Sequence, residues 1–135
     1  MAIVNIIEYV TIASAGDTTD FGDLIATKGW LAGVSSGTRA CFGGGYTPSN
    51  SNVIEYVTIA STGDAQDFGD LTVARAILSA VDNATRGIFG GGATPSKTTT
   101  MDYITIASTG DAADFGDMTA VGYHGGCSNG HGGLS

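Results

Sequence analysis

Three sets of regularly spaced aspartates are the part of the sequence best suited to binding a metal ion. Each set follows the pattern Asp-x-x-Asp-x-x-Asp, and clustered carboxylates are the ligands that a hard cation such as calcium prefers. The spacing differs from that of an EF-hand loop, and aspartate beside glycine also stabilises turns by hydrogen bonding to its own backbone. We therefore predict turn formation and no cofactor, with calcium binding by the middle set as the alternative. The sets are Asp17, Asp20 and Asp23; Asp64, Asp67 and Asp70; and Asp111, Asp114 and Asp117.

No residue pattern predicts an enzyme. Residues 33–37 read GVSSG and match the G-x-S-x-G pattern of nucleophilic serines, which requires a strand-to-helix turn with Asp and His partners. The equivalent residues 80–84 read AVDNA, so we interpret both stretches as an ordinary repeated turn. His124, Cys127 and His131 are ligand types for a transition metal. Because a fourth ligand is not evident, we favour a glycine-rich tail that is flexible or contacts other subunits, with a metal site as the alternative.

Three aromatic residues are candidates for a binding surface. Trp30 and Tyr46 have no aromatic counterpart in the following repeat, where Ile77 and Ala93 take their places. The repeat therefore does not require these two side chains in its core. Together with Tyr123, they are predicted to contact a ligand or another subunit, since aromatic residues are enriched at interfaces.

A repeat of 47 residues positions these groups. Tyr9, Tyr56 and Tyr103 recur at that interval within the related stretches IEYVTIASAGDTTDFGDL, IEYVTIASTGDAQDFGDL and MDYITIASTGDAADFGDM. A fixed period of this size is typical of stacked supersecondary units. The predicted repeats of this single domain, residues 1–135, are 7–53, 54–100 and 101–135, of which the last is incomplete.

Each complete repeat is predicted to form about four short antiparallel strands. The tyrosine strand, residues 7–14 in the first repeat, is apolar on both faces, as in strands buried on both sides. A Gly-Asp turn joins it to a shorter Asp-Phe-Gly-Asp strand. Residues 29–37 and 38–43 contain two further strands, and the glycines at 43–45 allow another backbone to approach closely. The chain thus opens on the third strand of a unit, and the fold class is all-β.

The charge balance excludes several classes of partner. The chain has 13 acidic and five basic residues, a net charge of −8, whereas nucleic acids and anionic membranes bind clusters of Lys and Arg. We therefore predict binding to neither. No secretory signal or membrane-spanning stretch is evident. Four of the five cations occupy equivalent repeat positions, and we predict that they pair with turn aspartates of neighbouring units, with an anion or sugar-acid site as the alternative: Lys28, Arg75, Arg39 and Arg86.

The repeats resemble the kelch-like repeats carried by bacteriophages, including those of tail-fibre and other virion proteins. The resemblance rests on the wording TIASTGDAxDFGDL and TRGxFGGG and covers essentially the whole chain. It departs from ordinary kelch repeats in lacking their usual Trp, because Trp30 has no repeat partner. The resemblance implies four-stranded β-propeller blades, for which a repeat of ~40–50 residues is typical.

Three blades are too few to close a ring, because propellers use roughly 4–8. We therefore predict closure by oligomerisation, with a threefold β-prism or β-trefoil as the alternative fold. The resemblance implies a non-enzymatic virion protein of a tail fibre or capsid, which provides a rigid β scaffold for assembly or host-surface attachment. Its expected partners are further copies of itself, other virion proteins and a host-surface glycan. The alternative function is a carbohydrate-binding lectin that acts as a closed threefold monomer.

Overall fold

The structure, a computed structural model, describes residues 3–128 and contains ten short β-strands in that range. These strands form three antiparallel sheets, which we number 1 to 3 in chain order. The described residues contain no helix, so the predicted all-β class is confirmed. Accordingly, no helix among residues 3–128 is long and apolar enough to span a membrane.

The three sheets are continuous in sequence and differ in the number of their strands. Sheet 1 has two strands: β1 (Ile6–Tyr9) and β2 (Thr19–Asp23). Sheet 2 has four: β3 (Ala32–Ser35), β4 (Arg39–Gly43), β5 (Val53–Thr58) and β6 (Gln66–Asp70). Sheet 3 also has four: β7 (Ser79–Asp82), β8 (Arg86–Gly90), β9 (Thr100–Thr105) and β10 (Ala113–Asp117).

Within each sheet, every strand pairs with its neighbours in sequence. β1 and β2 are the repeat equivalents of β5 and β6 and of β9 and β10, so sheet 1 contains a third and a fourth strand only. The sheets therefore cross the boundaries of the sequence repeats: sheet 2 takes its first two strands from one repeat and its last two from the next.

The tyrosine strand is shorter than the prediction of residues 7–14, because the chain turns soon after β1. The Ser14 amide donates a hydrogen bond to the Thr11 carbonyl oxygen (3.1 Å), and Ser61 donates to Thr58 (3.3 Å) at the equivalent place after β5. β5 has six residues and β1 only four. The difference follows from pairing, since β5 also pairs with β4, whereas β1 has a partner on one edge only within the described part of the chain.

An apolar core joins sheets 2 and 3. Phe89 and Ile54 are fully buried in it, and close packing of the sheets depends on glycine. A Cβ atom at Gly43 would lie 2.8 Å from the Phe89 ring, and one at Gly87 would lie 2.4 Å from Val34. The buried members of this core are Val34, Cys41, Ile54, Phe68, Leu71, Leu78, Phe89, Ile104 and Ile106.

Two buried ion pairs tie each segment between sheets to the third strand of the following sheet. Lys28 pairs with Glu55 (2.5 Å), and Arg75 pairs with Asp102 (2.9 Å). Glu55, Arg75 and Asp102 have no solvent-exposed surface. The prediction that these cations pair with turn aspartates is therefore wrong. The acids on β5 and β9 point into the protein, where a buried carboxylate needs a cation more than a solvated turn aspartate does.

The other two repeat-equivalent cations also avoid the turn aspartates. The guanidinium of Arg39 lies 4.4 Å from the centroid of the Tyr56 ring, and that of Arg86 lies 4.5 Å from the Tyr103 ring. Arg39 also donates a hydrogen bond to the Ile106 carbonyl oxygen (3.1 Å), which links sheet 2 to sheet 3. These arginines stack on aromatic faces, as guanidinium groups commonly do.

Candidate binding surface

The Gly-Asp turn of sheet 2 docks on the free edge of β2 in sheet 1. The Gly63 amide donates to the Phe21 carbonyl oxygen (2.8 Å), and the Ala65 amide donates to that of Asp23 (2.8 Å). In return, the Asp23 amide donates to the Asp64 carboxylate (3.0 Å). The turn therefore bonds to the fourth strand of the preceding sheet, rather than only to its own backbone as expected.

The same docking recurs between sheets 2 and 3. The Gly110 amide donates to Phe68 (2.7 Å), the Ala112 amide donates to Asp70 (2.8 Å), and the Asp70 amide donates to the Asp111 carboxylate (3.0 Å). Each contact matches its counterpart at β2 within 0.1 Å. We call this arrangement turn docking. It covers the exposed edge of one sheet with the loop of the next.

The aspartates proposed as calcium ligands take separate positions in this arrangement. Asp64 lies in the docked turn, while Asp67 and Asp70 lie on β6. Among residues 3–128, no group of three His, Cys, Asp or Glu side chains is arranged to hold a metal ion. The geometry therefore gives the calcium hypothesis no support. The possible transition-metal site formed by His124, Cys127 and His131 stays untested, because His131 lies outside the described residues.

Trp30 and Tyr46, two of the predicted binding residues, lie side by side on the surface. Their ring centroids are 5.5 Å apart, and the side chains are 50% and 37% exposed. Backbone pairing brings them together, since Gly29 donates to Tyr46 (2.9 Å) and Tyr46 donates to Gly29 (2.7 Å). Gly45 permits this approach: its φ is 103°, and a Cβ there would lie 2.9 Å from the Gly29 carbonyl oxygen.

Ile77 extends this aromatic pair and was not predicted as a binding residue. It occupies the repeat position of Trp30, and both residues have a left-handed backbone with φ of 58°. The Ile77 amide donates to the Trp30 carbonyl oxygen (2.9 Å), so the two positions are neighbours. Ile77 is 37% exposed. Its equivalence to Trp30 was the signal that could have identified it. We name Trp30, Tyr46 and Ile77 the apolar patch.

Tyr123, the third predicted binding residue, has a different neighbour. Its ring lies 4.5 Å from the Lys97 ammonium nitrogen, and the side chain is 58% exposed. This contact is a cation–π interaction on the surface. The structure thus pairs two of the three predicted aromatic residues with each other and pairs the third with a cation.

Two polar cavities occupy equivalent positions beside the turns of sheets 1 and 2. Their volumes are about 170 and about 260 Å³. The larger is lined in part by Tyr56, Thr58, Ser61 and Asp64, and the smaller by the corresponding residues of sheet 1. Each lining has several hydroxyl groups and one carboxylate, so these cavities favour a polar, hydrogen-bonding ligand.

The two side chains that could act as nucleophiles, Cys41 and Ser35, lie on β-strands of sheet 2. Burial raises the pKa of the Cys41 thiol to about 11, although the nearby Arg39 guanidinium opposes this shift. At neutral pH the group is therefore a thiol rather than a reactive thiolate. Ser35, from the GVSSG stretch, lies on β3, and its amide donates to the Asp82 carboxylate (2.7 Å).

No protein-family model matches this chain, and no curated protein matches its sequence.

Proposed function

We propose that the protein is a non-enzymatic structural and adhesive subunit of a virion, built from propeller-like blades that are completed when chains associate. The observation that supports it is the contrast between sheet 1 and the two sheets that follow it. Glu55 and Asp102 are fully buried, whereas the equivalent Glu8 is exposed. Likewise, Ile106 is buried and the equivalent Ile12 is 97% exposed. The preceding sheet and linker supply the burial of Glu55 in sheet 2 and of Asp102 and Ile106 in sheet 3, so the uncovered face of sheet 1 is suited to receive a neighbour.

The architecture agrees with a passive scaffold. Sheets 2 and 3 are four-stranded antiparallel sheets with a shared apolar core and interlocking turns. These features support the proposal that the two sheets are adjacent propeller-like blades. Four short strands in each sheet hold the connecting loops in fixed positions. The mass of the chain in solution, measured by light scattering, tests the assembly part of the proposal. A multimer is expected, and a compact monomer at all concentrations would contradict it.

The location on a virion rests on the resemblance of the repeats to those of phage proteins. It is tested by mass spectrometry of purified particles from the source that encodes the chain. We expect the protein in stoichiometric ratio to the major structural proteins. Its recovery only in the unassembled fraction would remove the virion part of the proposal and leave the scaffold part intact.

The apolar patch is the proposed adhesive surface, with a host-surface glycan as its ligand. Exposed aromatic rings offer rigid apolar area with little conformational entropy to lose on binding. The test is a glycan array with the intact protein, followed by titration of Trp30→Ala against any glycan that binds. Trp30→Ala should weaken binding by roughly tenfold or more. Val73→Ala removes a similarly exposed apolar side chain that is not part of the patch and should leave binding unchanged.

A lectin is the second candidate, and the two hydroxyl-lined cavities favour it. The lectin function predicts a monomer that binds glycans. It also predicts that Ser61→Ala at the larger cavity abolishes binding, whereas Trp30→Ala does not. These results together would replace the scaffold proposal with the lectin proposal. Retention of glycan binding by Ser61→Ala would count against the cavity.

A further inference from the structure

We propose that the free edge of β10 is a docking site for the turn at residues 16–18 of a second copy of this chain. The inference rests on the assembly part of the proposed function and specifies the contact. The turn of sheet 1 in one copy would dock on β10 of the other copy. It would do so in the same way that the turn of sheet 2 docks on β2 and the turn of sheet 3 docks on β6.

The two dockings inside the chain provide the template. In each, one turn glycine and the residue two positions later donate to alternate carbonyl oxygens of a Phe-Gly-Asp strand, while the turn aspartate accepts from that strand. The chain contains three Phe-Gly-Asp strands and three Gly-Asp turns. Two of each are engaged with one another, which leaves the strand of sheet 3 and the turn of sheet 1.

The strand of sheet 3 has the shape of an unoccupied acceptor. Gly22 and Gly69 are needed in the occupied ones, since a Cβ would lie 2.3 Å from the Gly63 carbonyl oxygen in the first and 2.4 Å from that of Gly110 in the second. Like these two glycines, Gly116 has a positive φ, of 126°, in the region of backbone conformation that favours glycine. Within residues 3–128, nothing lies within 4 Å of a Cβ placed at Gly116. A glycine there leaves room for a backbone that residues 3–128 do not themselves provide.

Exposure of the neighbouring phenylalanine agrees with this vacancy. Phe115 is 46% exposed, whereas the equivalent Phe68, beside an occupied edge, is 2% exposed. Both rings pack edge-on against the tyrosine of the adjacent strand, with centroids 5.9 and 6.0 Å apart. The local sheet is therefore the same, and what Phe115 lacks is a covering unit.

The turn of sheet 1 has the matching free donors and acceptor. Among the described residues, the Gly16 and Thr18 amides donate to no acceptor, and the exposed Asp17 carboxylate receives no hydrogen bond. By the template, Gly16 would donate to the Phe115 carbonyl oxygen of the other copy. Thr18 would donate to that of Asp117, and Asp17 would accept from the Asp117 amide.

The same placement satisfies a second equivalent contact. Inside the chain, the amides of Ile25 and Thr72 donate to the buried carboxylates of Glu55 (2.6 Å) and Asp102 (3.1 Å). The next position in this series is Thr119, which follows β10, and the next acid is Glu8 of the second copy. One placement of the partner thus accounts for the turn, the phenylalanine and the exposed acid together.

A third contact follows from the same placement. Arg39 of sheet 2 donates to the Ile106 carbonyl oxygen of sheet 3. Arg86 of sheet 3 would correspondingly donate to Ile12 of the second copy, the residue that is 97% exposed in this chain. The contact is heterologous, because different surfaces meet, and repeated use of it yields a ring or a filament.

The buried ion pair of the two junctions within the chain has no counterpart in the proposed junction between copies. Lys28 and Arg75 are 47 residues apart, and the residue 47 positions after Arg75 is Gly122, so the third linker has no cation for Glu8. The junction between copies therefore lacks the buried ion pair. We expect it to be weaker than the junctions within the chain, and association to depend on protein concentration.

The experiment uses two variants of the full chain, each of which blocks one side of the junction. Gly116→Val blocks the acceptor strand with a side chain. The double variant Asp17→Ala with Thr18→Pro removes the carboxylate and one donor amide from the turn. Gly37→Ala, at an open glycine of an unrelated turn, serves as the control. Circular dichroism and protection of the buried Cys41 thiol from a labelling reagent verify that each variant is folded.

Light scattering is then performed on each protein alone and on an equimolar mixture of the two blocked variants. We expect multimers for the unmodified chain and the control, and monomers for each blocked variant at the same concentration. The mixture should form a species of about twice the mass of one chain, because one free turn meets one free strand and growth stops there.

Three other outcomes overturn the proposal. Multimers of both folded, blocked variants would show that chains associate by another surface, and the assembly part of the proposed function would survive. Monomers in the mixture would exclude this heterologous contact. A monomeric unmodified chain would overturn both the proposed junction and the proposed assembly. The β10 edge would then be expected to bind a different protein.

Discussion

Sheet 2 and the two end sheets contain nearly the same residues at equivalent positions, yet the solvent exposure of those residues differs between the sheets. Phe68 is 2% exposed in the middle, and Phe115 is 46% exposed in sheet 3. Glu55 is fully buried, and Glu8 in sheet 1 is exposed. In a repeat protein, burial of a residue is decided by the adjoining repeat as much as by its own. The comparison teaches that one sequence pattern encodes both a sheet and the docking site for the next sheet.

The largest expected effect comes from breaking a buried ion pair in the middle of the chain. Arg75→Met leaves the Asp102 carboxylate buried without its cation and also removes a hydrogen bond to the Phe89 carbonyl oxygen. Removing one partner of such a pair costs about 3–5 kcal/mol. We expect a loss of that size in urea unfolding. Glu8→Gln, at the equivalent acid of the end sheet, should change stability by less than about 0.5 kcal/mol.

The double variant Arg75→Met with Asp102→Leu is the control for this prediction. Replacing both charges removes the uncompensated carboxylate but also removes the acceptor of the Thr72 amide and hydroxyl, so part of the stability should return. If the double variant is no more stable than the single variant, the stranded charge contributes less than those lost hydrogen bonds.

A smaller effect is expected from the glycines that allow turn docking. Gly69→Ala would place a Cβ 2.4 Å from the Gly110 carbonyl oxygen and force the turn of sheet 3 away from β6. Strain of this kind costs roughly 1–3 kcal/mol. Gly116→Ala has a similar backbone strain without the overlap, so its loss in thermal unfolding should be smaller. Equal losses would mean that backbone conformation alone, and not docking, requires glycine.

Much of the sheet architecture followed from the sequence, because its causes are local. The tyrosine strand, the Gly-Asp turn and the Phe-Gly-Asp strand each depend on residues adjacent in the chain, and the structure has β5, that turn and β6 in this order. The predicted end of the tyrosine strand, Ser14, lies five residues beyond the end of β1 at Tyr9, since Thr11 and Ser14 close a turn within an apolar run. Apolar composition alone does not mark that end.

Contacts between sheets were not predictable in the same way. Glu55 lies on β5, and nothing near it in sequence reveals that Lys28, 27 residues earlier, reaches it. Trp30 and Tyr46 were both identified, yet their contact depends on how two loops cross. Such contacts depend on the stacking offset of successive sheets, which no local pattern encodes.

The docked aspartates permit a comparison at a single hydrogen bond. Asp111→Ala removes the carboxylate that accepts from the Asp70 amide, while Asp17→Ala removes the equivalent carboxylate, which lacks such a donor among the described residues. An exposed bond of this type contributes about 1 kcal/mol. We expect that loss for Asp111→Ala in urea unfolding and nearly none for Asp17→Ala in dilute protein. A loss of equal size in both would show that the aspartates stabilise their own turns.

The smallest effect separates Arg39 from Arg86. Both guanidinium groups stack on a tyrosine, at 4.4 and 4.5 Å, so replacing either with alanine loses a contact of about 0.5–1 kcal/mol. Only Arg39 also bonds to the next sheet, at the Ile106 carbonyl oxygen. Arg39→Ala should therefore be more destabilising than Arg86→Ala by about 0.5–1 kcal/mol in dilute protein. Association of chains would give Arg86 the equivalent acceptor, so the difference should shrink as protein concentration rises; a difference independent of concentration would argue against that acceptor.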